Sequence, residues 1–138
     1  MTSAECRAFL AEGARTMQVA TVRPDGRPHV APVWFALDGD TIVFTTAADS
    51  VKAINLAHDP RISLCVDDET PPFAYVLIAG TAAMSDDLDQ LLHWATQISG
   101  RYMGTERAEA YGRRNGVPGE LLVRVAPSSV IGRKRIAD

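Results

Sequence analysis

Thr16-Met17-Gln18-Val19-Ala20-Thr21-Val22-Arg23-Pro24-Asp25-Gly26-Arg27 decides the fold class. Through Val22 the pattern approaches alternation, with Met17 and Val19 on one face, the period of a half-buried strand. Arg23-Pro24-Asp25-Gly26-Arg27 then supplies a reversal, since Pro presets φ and Gly tolerates the positive φ of a tight turn. A second apolar run follows, His29-Val30-Ala31-Pro32-Val33-Trp34-Phe35-Ala36-Leu37, then Asp38-Gly39-Asp40, then a third run from Thr41 to Thr46. Three strands joined by two reversals predict an antiparallel meander. Pro32 has no N–H for a ladder, which places it at a bulge or an unpaired edge position.

Strands recur downstream: Arg61 to Val66, Phe73 to Met84 after the acidic loop Asp67 to Pro72, then Glu120 to Ala126 and Ser129 to Gly132 with Pro127 between them. Gly80 inside the long strand marks a bend or a close backbone approach. Short helices are expected at about 3–13, 50–58, 86–103 and 105–114. Thr2 or Ser3 caps the first, Glu5 completes a capping box with Thr2, and Cys6, Phe9 and Leu10 form its apolar stripe. Ser85 or Asp86 caps the third, whose stripe is Leu88, Leu91, Leu92, Ala95 and Ile98. Early strands joined by reversals cannot make parallel crossovers. The expectation is therefore a mainly β protein with peripheral helices, an antiparallel barrel forming one domain over residues 1–138. A small barrel fills its own interior, so a ligand belongs outside it or at a subunit junction. Trp34, Phe35, Phe73 and Tyr75 are the residues expected to cover a partner subunit, predicting a homodimer.

The totals exclude several classes. Hydrophobic residues make 46% of the 138, charged residues 22%, and the net charge is -3. No basic footprint for nucleic acid is present; Arg133-Lys134-Arg135 is short and reads as a solvated tail. No apolar run reaches bilayer length and the N-terminus lacks a signal-peptide pattern, so no membrane insertion and a cytoplasmic location are expected. Cys6 and Cys65 are too few for a disulfide framework or metal cluster, and Cys65 between Leu64 and Val66 reads as a buried thiol. His29, His58 and His93 lack the spacing of metal ligands, and none is assigned a metal. His29 reads as a strand or site-rim residue.

The candidate site is Phe44-Thr45-Thr46-Ala47-Ala48-Asp49-Ser50-Val51-Lys52-Ala53-Ile54-Asn55-Leu56. A strand runs through two hydroxyl residues into a turn and the start of a helix. Ser50 caps that helix, its first-turn amides remain free for an anion, and Lys52 adds a positive charge in the same turn. The stretch reads as a phosphate-binding corner, against the plainer reading of a capped surface helix that carries a lysine.

Ala20-Thr21-Val22-Arg23-Pro24-Asp25-Gly26-Arg27-Pro28-His29-Val30, Thr45-Thr46, Ser50-Val51-Lys52, Asn55-Leu56, Asp59-Pro60-Arg61 and Gly80-Thr81-Ala82, in this order and spacing, resemble the pyridoxamine 5'-phosphate oxidase-like FMN-binding split-barrel superfamily. Within it the chain is most similar to small actinobacterial proteins that use the deazaflavin coenzyme F420. The resemblance implies a homodimer with two sites built from both chains. It places Thr45 and Thr46 beside the cofactor chain, Ser50 and Lys52 at its phosphate, and Asn55 and Arg61 as second-line residues of that corner. Pro32, Val33 and Trp34 would lie along the ring, and Phe73 and Tyr75 would approach from the partner. Some relatives carry a basic residue where this chain has Ser50. Pyridoxamine-phosphate oxidases proper are longer and carry further basic residues, which argues against that activity here.

The cofactor carries the redox step in such proteins while the protein supplies position and polarity, so no triad or metal motif is needed. The resemblance implies an F420-dependent oxidoreductase (class EC 1) acting on a conjugated or unsaturated small molecule of quinone, tetrapyrrole or enone type. The alternatives are an FMN-dependent oxidoreductase using the same corner, and a non-catalytic flavin-, deazaflavin- or haem-binding protein. Tyr75, Tyr102 and solvent are the candidate proton sources, and no catalytic residue is assigned.

Overall fold

A computed structural model describes residues 1–138. Seven strands, β1 (Met17–Val22), β2 (Pro28–Val33), β3 (Ala36–Asp38), β4 (Thr41–Ala47), β5 (Arg61–Asp68), β6 (Ala74–Ser85) and β7 (Glu120–Lys134), form one antiparallel sheet. The helices are α1 (Ser3–Ala11), α2 (Val51–His58), α3 (Leu88–Met103) and α4 (Thr105–Asn115).

The hydrogen-bonded order is β2-β1-β5-β6-β7-β4-β3. Its two edges, β2 and β3, are consecutive in sequence and separated only by Trp34 and Phe35. So short a link forces the sheet to curl until its edges meet, giving a barrel open along one seam. The antiparallel split barrel is therefore the architecture, and Trp34-Phe35 is where it splits.

This seam corrects the meander reading. His29 to Leu37 is not one strand: β2 pairs with β1, whereas β3 pairs with β4. The apolar run is unbroken because Phe35 turns inward and is fully buried, while Trp34 stays at the surface. Phe35 thus belongs to the core and cannot cover a partner. Pro32 does sit on an edge strand, where a missing N–H costs no ladder bond.

Pro127 does not divide the last strand. β7 runs continuously, and the irregularity is taken up as a register shift between Ala79 and Gly80 on β6. A Cβ at Gly80 would stand 2.4 Å from the Ala126 carbonyl oxygen, so only glycine allows this approach. Arg133 and Lys134 end β7 rather than forming a tail, and Lys134 pairs with Glu5.

α1 and α2 pack into the barrel core, whereas α3 packs on the outer face of β3, β4 and β7 and carries α4 on its back. Thr2 caps α1 in a complete capping box with Glu5, and Cys6, Phe9 and Leu10 are buried. Asp87 caps α3 by accepting from Gln90 N, while Ser85 Oγ accepts from Asp87 N just before the helix. Leu91, Ala95 and Ile98 of α3 are buried, but Leu88 and Leu92 are exposed. Asn55 ties α2 to β1 through a buried hydrogen bond, its Nδ2 donating to Thr21 Oγ1 at 3.0 Å. Removing either partner would strand a buried polar group at a cost of about 1–3 kcal/mol. Cys65 faces the side of β5 opposite Leu64 and Val66 and is half-buried, contrary to the core thiol expected; burial pushes its thiol pKa up, with Asp67 adding to the effect. No helix is long and apolar enough to cross a membrane.

Candidate functional site

β4 delivers Thr45 and Thr46 to the seam with opposite facings, as strand alternation requires. Thr46 turns inward, and its Oγ1 lies 2.8 Å from Ser50 Oγ. Ser50 Oγ in turn accepts from Ala53 N at 3.1 Å, the N-cap bond of α2. These two hydroxyls therefore hold the strand-to-helix turn, which is fastened again by Ala48 N donating to Gly119 O at 2.8 Å. Thr45 points the other way, into a cavity of about 240 Å³. Lys52, the second residue of α2, lines the same cavity. None of the ion pairs in the chain uses Lys52. The amides of Val51 and Lys52 belong to the first turn, where a helix has no internal acceptor for them.

Pro32, Val33 and Trp34 form the apolar side of this cavity, at the end of β2 where the barrel splits. Ala95 and Ile98 of α3 add further apolar surface. The same three residues also border a second hollow of about 370 Å³ beside Thr16. The seam is rigid. The Trp34 indole stacks on Tyr102 with centroids 4.9 Å apart. Tyr102 OH donates to Arg15 O at 2.7 Å and accepts from Phe35 N at 3.3 Å. Arg101 donates to Leu10 O, Phe35 O and Gly13 O at 2.6, 2.9 and 3.0 Å. Burial pushes the Tyr102 phenol above its usual pKa, so it stays neutral and acts as a post. It does not itself line the cavity but stands behind Trp34, which does.

Five of the eleven residues expected at the cofactor thus converge: Pro32, Val33, Trp34, Thr45 and Lys52. Thr46 and Ser50 stand directly behind them and brace the turn. Asn55 is buried with its amide committed to Thr21. Arg61 is exposed and forms a fork with Asp59, Nη2 donating at 2.6 Å and Nε at 3.0 Å. Its guanidinium holds the Asp59 carboxyl down to about 2. Phe73 and Tyr75 flank the start of β6, Phe73 exposed with φ of 69° and Tyr75 in register with Asp67 and Arg133, and neither lines this cavity. His29 lies opposite Thr21 on β2, its Nδ1 buried without a partner.

Two lining residues escaped the sequence reading, Ser99 of α3 and Asn115 at the end of α4. Ser99 sits one turn beyond Ala95 on the inward face, a polar break in an apolar stripe that was the available signal. Another cavity, about 300 Å³ under α1, is floored by Leu10, Leu37, Ile42 and Ile78, with Arg7 and Asp40 on its lining joined by an ion pair at 2.5 Å. None of the eleven residues expected at the cofactor lines it.

One cation, neutral hydroxyl and amide groups, and an apolar wall fit a ligand with an anionic end and a flat ring. Comparison with known proteins identifies the family. Residues 2–134 match the family described as pyridoxamine 5'-phosphate oxidase. A stretch of 63 residues is 38% identical to the pyridoxine/pyridoxamine 5'-phosphate oxidase of Hyphomonas neptunium, covering 45% of this chain and only 29% of that protein. The crystal structure of a conserved hypothetical protein from Mycobacterium tuberculosis is 28% identical with a TM-score of 0.85, over 98% of this chain and 86% of its own. A solved structure described as an F420 reductase is 26% identical with a TM-score of 0.72, over 89% of this chain and 94% of its own.

Proposed function

The chain belongs to the pyridoxamine 5'-phosphate oxidase family, and on that premise we propose that it is an oxidoreductase that holds a phosphate-bearing flavin-type cofactor, FMN in the first place, at the barrel's seam. The observation that carries this reading is the convergence of Lys52 and Thr45 with the Pro32-Val33-Trp34 segment on one cavity. When bound, the flavin supplies the redox chemistry toward a conjugated or unsaturated small molecule. Lys52 and the first-turn amides of α2 hold the phosphate, because a cation and a helix N-terminus both favour negative charge there. Thr45 donates to the chain beside it, and Thr46 and Ser50 fix the turn that presents Lys52. Pro32, Val33 and Trp34 exclude water from one side of the ring.

A cavity of about 240 Å³ is smaller than the roughly 300–1,000 Å³ usual for a cofactor-sized ligand, so a second copy completes the site. The outer sheet carries an apolar stripe of Val30, Leu77, Val130 and Ile131, all exposed in the single chain. A homodimer formed over this stripe covers it. Phe73 and Tyr75 of the partner subunit then approach the ring. Two free cysteines accord with a cytoplasmic setting.

A second reading has its own support. The likeness to an F420 reductase over nearly the full chain favours the deazaflavin coenzyme, which shares the phosphate and the tricyclic ring. Titration of the purified protein with FMN and F420 in parallel, followed by turnover with each reduced cofactor on quinones, tetrapyrroles and enones, tests the proposal. Saturable binding of either one with turnover supports an oxidoreductase and names the cofactor. Binding without turnover favours a carrier protein, and binding of neither overturns the reading.

A further inference from the structure

We propose that the α3–α4 hairpin is a third wall of the cofactor site, in which Ser99 and Asn115 hold the hydroxylated chain that joins ring to phosphate. This rests on the flavin-type reading above. Both residues come from helices inserted between β6 and β7, separate from the strand-to-helix corner that carries Lys52. Ser99 is only 2% exposed, yet it lines the cavity rather than packing wholly among apolar side chains. Its hydroxyl makes no hydrogen bond within the chain and is not sealed off, so it is open to whatever enters the cavity. The neighbouring Thr96 spends its hydroxyl locally, donating to Leu92 O at 2.7 Å. Ser99 has no such bond and offers its hydroxyl to the ligand.

Asn115 reaches the cavity because α4 lies directly on the backbone of α3. A Cβ at Gly112 would come 2.1 Å from Thr96 Oγ1 and 2.8 Å from Thr96 Cα, and one at Gly116 would come 2.7 Å from Leu92 Cα. Two glycines one turn apart therefore draw in the end of α4, and Asn115 between them becomes part of the wall.

The chemistry of the lining assigns the parts. Lys52 only donates and carries charge, which suits a phosphate. Ser99 and Asn115 each donate and accept without charge, as the hydroxyl groups of a sugar alcohol do. The apolar Pro32-Val33-Trp34 segment suits the ring. No carboxylate lines the cavity to repel the anion.

The test is a titration of wild type, Ser99→Ala, Asn115→Ala and the double variant with FMN, riboflavin and lumiflavin, with circular dichroism and melting curves to verify the fold. Riboflavin lacks the phosphate, and lumiflavin lacks both phosphate and hydroxylated chain. The double variant loses about tenfold in affinity for FMN and riboflavin alike, roughly the loss of one or two neutral hydrogen bonds, and keeps lumiflavin within about twofold. If F420 proves to be the cofactor, it and its unphosphorylated alcohol replace FMN and riboflavin. An equal loss for lumiflavin, a loss confined to the phosphorylated ligand, or no loss overturns the inference while leaving the cofactor reading intact. If the double variant unfolds, Asn115→Ala alone, at a helix end, decides the matter by the same ratios. Wild type that binds no member of either series overturns the cofactor reading and this inference together.

Discussion

The Trp34 indole lies flat on the Tyr102 phenol, centroids 4.9 Å apart and planes 6° from parallel. Tyr102 in turn is bonded to Arg15 O and Phe35 N, so the residue at the barrel's seam is held from behind by α3. Tyr102→Phe keeps the stack and loses both bonds, costing about 1–2 kcal/mol of stability with little change in Trp34's orientation. Tyr102→Leu loses the stack as well, a further ~0.5–1.5 kcal/mol, and frees the indole. Chemical denaturation measures the stability, and near-ultraviolet circular dichroism of the free protein reads the indole. A Leu variant with the wild-type aromatic spectrum would contradict this role.

Asp59 and Arg61 set an acid limit. The Asp59 carboxyl is held at about 2, chiefly by the hydrogen bond from the Arg61 side chain and next by that from the Arg61 backbone. A carboxylate whose pKa is depressed on folding stabilises the protein above its unfolded value, near 3.9, and the benefit is lost as pH falls toward about 2. Glu5 adds to the same window, held at about 2 mainly by Lys134 and then by the Thr2 amide. Arg61→Ala should raise the Asp59 midpoint part of the way back, since the backbone bond remains, and move acid unfolding to higher pH. Carboxyl-carbon NMR titration checks the first expectation. An unchanged Asp59 midpoint would show that the fork is not what depresses it.

Leu77 and Ile131 face each other in register on the exposed apolar stripe. Leu77→Asp places a charge in the proposed subunit junction, where it cannot be solvated without opening the interface. Sedimentation velocity should show wild type at twice the chain mass and the variant at the chain mass, with an unchanged far-ultraviolet spectrum. Wild type that remains monomeric throughout a concentration series would rule out the proposed dimer.

Much of this was legible in the residues, for reasons that also explain what was not. Alternation at Met17 and Val19 and the Pro-Asp-Gly reversal are local signals, and local rules govern hairpins. The Thr2–Glu5 capping box and the close approach at Gly80 are likewise encoded at single positions. The split between β2 and β3 left no mark because Trp34 and Phe35 continue an apolar run; only the long-range pairing of β3 with β4 and of β2 with β1 separates them. At the site, Thr45 and Lys52 were visible from the strand-to-helix corner. Ser99 and Asn115 were not, because what gives them meaning is the lie of α4 on α3, a tertiary fact. Asn55 illustrates the converse: a polar residue beside a candidate anion corner spends its amide on Thr21 instead.

Lys52 is the residue on which the proposed cofactor site stands or falls, and its removal is the sharpest probe of it. FMN and F420 are added separately to wild type and to Lys52→Ala at low and high salt, with binding followed by calorimetry. Wild type should bind one of them, and Lys52→Ala should bind it about tenfold more weakly at low salt, the gap narrowing as salt screens a half-exposed charge. Equal affinity of the two proteins at low salt would contradict the role given to Lys52.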